Sequence, residues 1–410
     1  MSTVSSLNPR RNCPFPGSDT LAAMVHRTLA IVLFFLSTSV VAQPIVKAGT
    51  ADSVDMSAAV LRAGAALYAD AVTRDDLRGA VILVARRGRI VLHEAYGWRD
   101  EKKSVPMAKD TLFRMASNTK PVIATAVLQL IEAGKLGLDD PVKKHIPSFD
   151  NEKSASITIR HLLTHTSGFR IDSLFLKPLM AKSEEHPDAP NLRLEAARFG
   201  GVGPVEKPGT SYSYSNPGFN TLGALIEIAS GMSLERYLQE RIYQPLGMTD
   251  SCNFEPRADN SRMSSVFRRK GDAWRVGWRP GGRPTVPFVR ASGGMVSTAM
   301  DYAAFCQMFL NGGTYGGTRL LSEASVREAT KAQTKHTHPE AVRDDPRQAF
   351  YGFGWRVTNG VHAHGGSDGT YGWVDPRRQI IGLVFTQSPG GANPRGQFQR
   401  VVDAACAGAR

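Results

Sequence analysis

Paired apolar runs stand near both ends of the chain. Residues 79–97, GAVILVARRGRIVLHEAYG, place two apolar stretches around Arg86-Arg87-Gly88-Arg89 and read as a β-hairpin. TYGWV (370–374), the turn DPRRQ (375–379) and IIGLVFTQ (380–387) repeat that shape near the C-terminus. Between them the pattern turns helical. PVIATAVLQLIEAG (121–134) is apolar nearly all round and ends at Gly134, a C-cap signal. GFNTLGALIEIASG (218–231), SLERYLQERIY (233–243) and STAMDYAAFCQMFLNGG (297–313) follow. This arrangement predicts an α/β (α+β) fold: an antiparallel β-sheet built from N- and C-terminal segments, flanked by helices, with an inserted mainly helical region. Residues 43–410 would form one domain, with a sheet subdomain at about 60–116 and 290–410 and a helical one at about 117–289. The proline-dotted stretch 170–208 reads as a long loop or lid rather than an element.

The first 42 residues carry a different signal. After Met24 come His26-Arg27, the apolar run LAIVLFFL (29–36) and STSVVAQ, with Val40 and Ala42 at the −3 and −1 positions. This pattern predicts an export signal starting at Met24 and cleaved after Ala42, hence a periplasmic or secreted protein without stable membrane insertion. The alternative is an N-terminal anchor, although the run is short for a bilayer. Cleavage would leave Cys252, Cys306 and Cys406, enough for one disulfide at most. Cys306, in DYAAFCQMFL, reads as a buried helix residue.

Composition excludes some partners. The 410-residue chain has a net charge of +13. Residues 1–42 hold three arginines and one aspartate, so their removal brings it to +11. The basic residues are scattered, with no aromatic-basic interleaving, which argues against nucleic acid. His161 and His165 stand at i and i+4, without a glutamate between them or an evident third ligand, so no metal or other cofactor is expected.

The chemistry begins with two rival serines. Gly365-Gly366-Ser367-Asp368-Gly369 satisfies G-x-S-x-G, the nucleophile elbow of α/β-hydrolases. That elbow needs a helix directly after the serine, and DGTYGWVDP enters a strand instead. Ser117, in RMASNTKPVIATAVLQL, has Lys120 three positions later. On a helix the two share a face, so the amine lies beside the hydroxyl. Packed in an apolar helix, Lys120 would lose its proton more readily and serve as a base. Serine-x-x-lysine alone is a weak signal, and its bland version is a capping serine beside a surface lysine. Tyr214-Ser215-Asn216 and His364-Gly365-Gly366, each the only motif of its kind in the chain, make the set specific.

With these motifs the chain resembles the penicillin-recognising serine hydrolases: class C β-lactamases, D-alanyl-D-alanine carboxypeptidases and carboxylesterases of the same fold. ITIRHLLTHTSGF (157–169), SYSNPGFNTLGALIEIASGMSLERYLQERIYQPLGM (213–248) and ASGGMVSTAMDYAAFCQMFLNGG (291–313) extend the resemblance. It implies that Ser117 forms an acyl-enzyme and that Lys120 takes its proton. Tyr214, its phenol depressed by the lysine, would be a phenolate or proton shuttle. Asn216 would bind the acyl chain and Lys120. His364, Gly365 and Gly366 would line the substrate cleft, and the backbone N–H groups of Ser117 and Ser367 would form the oxyanion hole. The third motif in β-lactamase and peptidase relatives is typically K-T-G or H-T-G, whose hydroxyl helps hold a substrate carboxylate; Gly365 lacks it. The expected substrate is therefore a small ester, ahead of a lactam or D-amino-acid peptide amide. A catalytically silent member that binds penicillin-like ligands or peptidoglycan is the reading from another class. The rival serines separate cleanly: Ser117→Ala should abolish ester hydrolysis, whereas Ser367→Ala, which keeps its backbone N–H, should retain most of it in a spectrophotometric assay.

Overall fold

The computed structural model describes residues 45–170, 182–255, 258–282 and 287–407. The leader expected at 1–42 lies outside them. Eight strands form one sheet: β1 (Lys47–Ala48), β2 (Gly79–Arg86), β3 (Arg89–Gly97), β4 (Phe350–Tyr351), β5 (Arg356–Thr358), β6 (Val361–Gly365), β7 (Thr370–Asp375) and β8 (Ile380–Phe385). Their order is β1-β3-β2-β8-β7-β6-β5-β4. The N- and C-terminal segments meet at its centre, where Val81 of β2 lies opposite Phe385 of β8. The wholly antiparallel expectation needs one correction, because β1 runs parallel to β3. Helix α1 (Ala58–Thr73) follows β1 and supplies the crossover that a parallel pair requires.

The alternation of side chains along β2 explains the layers. Val81, Leu83 and Ala85 enter one core, with α2 (Thr119–Glu132), α3 (Asn216–Ser230) and α4 (Ala299–Leu310). Ala80, Ile82 and Val84 enter a second core with Leu61 and Tyr68 of α1 and with Phe398 and Val402 of α5 (Arg395–Ala407). A strand covered on both faces needs no polar alternation, which is why 79–86 reads as an unbroken apolar run. The two-residue turn at Arg87-Gly88 has positive φ at both positions (50° and 74°), the geometry that suits strand twist in a tight hairpin. Helix α2 stops as its pattern predicts, with Gly134 at φ 68° just beyond its C-cap.

Two segments differ from expectation. Within 170–208, residues Leu192–Val202 form a helix, capped by Asn191 and buried through Leu192, Ala196 and Phe199. The prolines that marked the stretch as a loop flank this helix without entering it. Residues 171–181 lie outside the described part. In the region expected to be helical, Val266–Lys270 and Ala273–Trp278 form a hairpin. Phe267 N–H donates to the Gln387 carbonyl at 2.8 Å, tying that hairpin to the end of β8. No disulfide joins Cys252, Cys306 and Cys406, and Cys306 is fully buried in α4. No helix among the described residues is long and apolar enough to cross a membrane.

His362, on β6, is 1% exposed and packs against Trp355 and Phe309, with neither ring nitrogen hydrogen-bonded. Burial pushes its pKa down to about 3. Above the ordinary value of 6.5 the ring is neutral whether the chain is folded or not. As pH falls from 6.5 toward 3 only the unfolded chain takes up this proton, removing at most about 1.4 kcal/mol of stability per pH unit. His362→Phe should therefore lose less Tm between pH 6.5 and 4 than the parent in thermal melts; parallel losses would contradict this.

Candidate active site

Ser117 occupies a single 3-10 turn, Ala116–Asn118, that leads into α2. Ala116 before it has φ 45°, a conformation costing an L-residue roughly 1–2 kcal/mol. Contacts from across the sheet hold the turn in place. Thr370, at the start of β7, donates to the Met115 carbonyl at 2.9 Å and accepts from the Asn118 amide at 2.9 Å. Gly366 lies so close that a Cβ there would stand 2.3 Å from the Met115 carbonyl oxygen. Only glycine lets the end of β6 approach the turn holding Ser117 this closely.

Lys120 follows in the first turn of α2 and is wholly buried. Its Nζ lies 2.8 Å from Asn216 Oδ1, 2.7 Å from the Ser292 carbonyl and 3.2 Å from Ser117 Oγ. Burial, reinforced by the charge of Arg290, holds its pKa well below the ordinary lysine value. A neutral amine has two N–H donors and one lone pair. The amide and carbonyl oxygens can only accept, so they take the two donors and leave the lone pair for the Ser117 hydroxyl proton.

Tyr214 and Asn216 are set by the start of α3. Ser215 caps this helix by accepting from Gly218 N–H, and Pro217 fills its first turn. His165, given no role by the sequence reading, backs the motif. Its carbonyl accepts from Ser213 N–H at 2.8 Å and its Nδ1 from Ser215 N–H at 3.0 Å. Its ring centroid lies 4.3 Å from that of Tyr214. The i,i+4 partner, His161, instead closes a capping box with Thr158. Lys120 Nζ sits 4.6 Å from the Tyr214 ring centroid. The expectation of a depressed phenol is corrected here. Desolvation raises the Tyr214 pKa and outweighs the lowering influence of the Ser117 hydroxyl.

His364 and Gly365 end β6, and Gly366 and Ser367 begin the turn into β7. His364 is 3% exposed, and burial pushes its pKa down to about 3, with Lys120 adding to the effect. Its Nδ1 lies 2.9 Å from the Gly365 carbonyl, which only accepts, so Nδ1 carries the proton and Nε2 accepts from Tyr351 O–H at 2.9 Å. The imidazole is therefore neutral, with both nitrogens engaged by the protein itself. Ser117, Asn216, Ser292 and Ser367 line one pocket of about 180 Å³. Tyr214, His364 and Gly365 line a separate cavity of about 800 Å³, with Arg356 and Arg395 in its wall.

The small pocket also holds arginines that the sequence reading did not single out. Arg114 and Arg290 lie 2.9 Å and 4.0 Å from Glu255 Oε1. Arg114 also lies 3.5 Å from Asp368, and Arg268 reaches Asp368 at 3.1 Å. These residues come from five distant segments, so no local motif joins them. His165 stood inside the quoted HLLTHTSGF, yet nothing local showed that it faces Tyr214.

Similarity to known proteins agrees with this geometry. The sequence profile of the family described as Beta-lactamase matches residues 65–405. Protein Rv1367c of Mycobacterium tuberculosis is 31% identical over 347 residues, covering 76% of this chain and 86% of the relative. Esterase EstB of Burkholderia gladioli is 36% identical over 219 residues, about half of each chain (50% and 54%). The solved structure of "EstCE1, a hydrolase with promiscuous acyltransferase activity" superposes with a TM-score of 0.69 at 24% identity, covering 86% of this chain and 99% of that one, which shows a shared fold. The chain belongs to the Beta-lactamase family.

Proposed function

We propose that this protein is a serine hydrolase of the carboxylesterase type, acting on small esters through an acyl-enzyme on Ser117. The observation that carries the reading is the wholly buried Lys120 amine, held by two neutral oxygens and 3.2 Å from Ser117 Oγ. Lys120 would take the hydroxyl proton as Ser117 attacks the acyl carbon. The Ser117 and Ser367 N–H groups would stabilise the oxyanion. The phenol of Tyr214, kept protonated, would give its proton to the departing alkoxide and recover one through the lysine. Water, activated along the same path in reverse, would release the acid.

The preference for esters rests on the end of β6. It offers a neutral histidine and a glycine where a carboxylate-bearing lactam or peptide would need a charge or a hydroxyl. One observation favours a second reading, β-lactam or D-amino-acid peptide hydrolysis: Arg356 and Arg395 in the wall of the cavity beside Tyr214.

The readings predict opposite rankings. Short p-nitrophenyl esters should turn over faster than a chromogenic cephalosporin at matched concentrations; the reverse ranking would favour the second reading. A fluorophosphonate should add covalently to the wild type and not to Ser117→Ala in intact-protein mass spectra. No adduct on the wild type would point to a silent binding protein. The pH profile checks the base. A protonated Lys120 cannot accept the serine proton, so kcat/KM should rise with pH through a limb lying well below the ordinary lysine value of 10.5. A limb at or above 10.5 would exclude a desolvated lysine as the base.

A further inference from the structure

Proton chemistry decides which half of a substrate lies on which side of Ser117. The departing alkoxide must be protonated, so it leaves on the side of Tyr214. Tyr214 lines the larger cavity and does not line the pocket that holds Ser117, Asn216 and Ser367. The acyl half of the substrate therefore enters that smaller pocket.

Its size and charge are both unusual for an acyl site. A volume of 180 Å³ equals the share of about six water molecules, room for a chain of about four carbons. Three guanidiniums line it, from Arg114, Arg268 and Arg290, and two carboxylates face them, from Asp368 and Glu255. Among the described residues this leaves one more positive than negative charge. Arg290 shares Glu255 with Arg114, which sits 1.1 Å closer to the same oxygen (2.9 Å against 4.0 Å). Its side chain is only 12% exposed, so solvent does little to stabilise its charge. Arg268, 56% exposed at the rim, makes one ion pair, with Asp368. A hydrocarbon chain entering here would desolvate guanidiniums and return nothing for it. A carboxylate would meet planar, paired N–H donors.

We infer that the pocket beside Ser117 selects short acyl groups that end in a carboxylate, the succinyl half of a succinate monoester being the type, with Arg268 and Arg290 as the recognising residues. The inference rests on the hydrolase reading above. The reaction balances as monoester plus water giving diacid plus alcohol. The Ser117 Oγ–acyl bond forms, the ester C–O bond breaks, and the alkoxide departs with a proton from Tyr214. Water then cleaves the hemisuccinyl-enzyme.

The test compares monoethyl succinate with ethyl butyrate by pH-stat titration. Both carry a four-carbon acyl chain and the same alcohol, so only the distal carboxylate differs. Wild type should favour the succinate ester by about tenfold in kcat/KM, and added salt should shrink the preference. Arg268→Glu should lower the ratio at least to parity, and Arg268→Lys should keep part of it. A partly misfolded variant slows both esters alike and leaves the ratio intact. Equal turnover or a butyrate preference in the wild type would make the arginine network a purely structural tie and overturn this inference while the esterase reading stands. Turnover of neither ester would remove both.

Discussion

The site depends on a buried lysine that faces no carboxylate among the described residues. An ammonium sealed from water is costly unless an anion faces it, and the polar neighbours of Lys120 Nζ are a hydroxyl, an amide and a carbonyl oxygen. The least costly state is the neutral amine, which is also the state a base needs. Three segments far apart in sequence supply those oxygens: the turn before α2, the first residue of α3 and the loop at Ser292. Arg290 adds like charge that works against protonation of Lys120.

An aromatic wall backs one side of the site. His165 is fully buried among Tyr212, Tyr214, Phe219 and Tyr351, with ring centroids 4.3–6.0 Å away. Tyr351 in turn fixes the tautomer of His364. Burial drives these titratable groups toward neutrality together, lowering the pKa of Lys120, His165 and His364 and raising that of Tyr214. Such a set can move protons with little change in net charge.

The sequence made some of this legible and hid the rest for physical reasons. Both hairpins, the course of α2 and the Ser117–Lys120 pair are local patterns, and they stand where their periods place them. The motifs at Tyr214 and His364 were visible as motifs, but the protonation of Tyr214 and His364 depends on burial that no short window contains. The helix at 192–202 was masked because prolines around it resemble loop punctuation. The parallel β1 is two residues long, and the hairpin at 266–278 is rich in arginine and lysine, so neither carries a clear apolar alternation. The five segments that build the arginine network come together only once the sheet has closed.

That closure also has a bearing on time. The central pair of the sheet joins Val81 to Phe385, and the turn holding Ser117 is pinned by Thr370 from the same late segment. A growing chain can make α2 early, but the strand that clamps the serine and helps shape its pocket is added near the end. Such distant pairing slows folding, since the loop must close before the contacts repay it. It also acts as a safeguard. A truncated or half-made chain would carry Ser117 and Lys120 without the contacts that set their geometry, so the site comes into being only with the finished sheet.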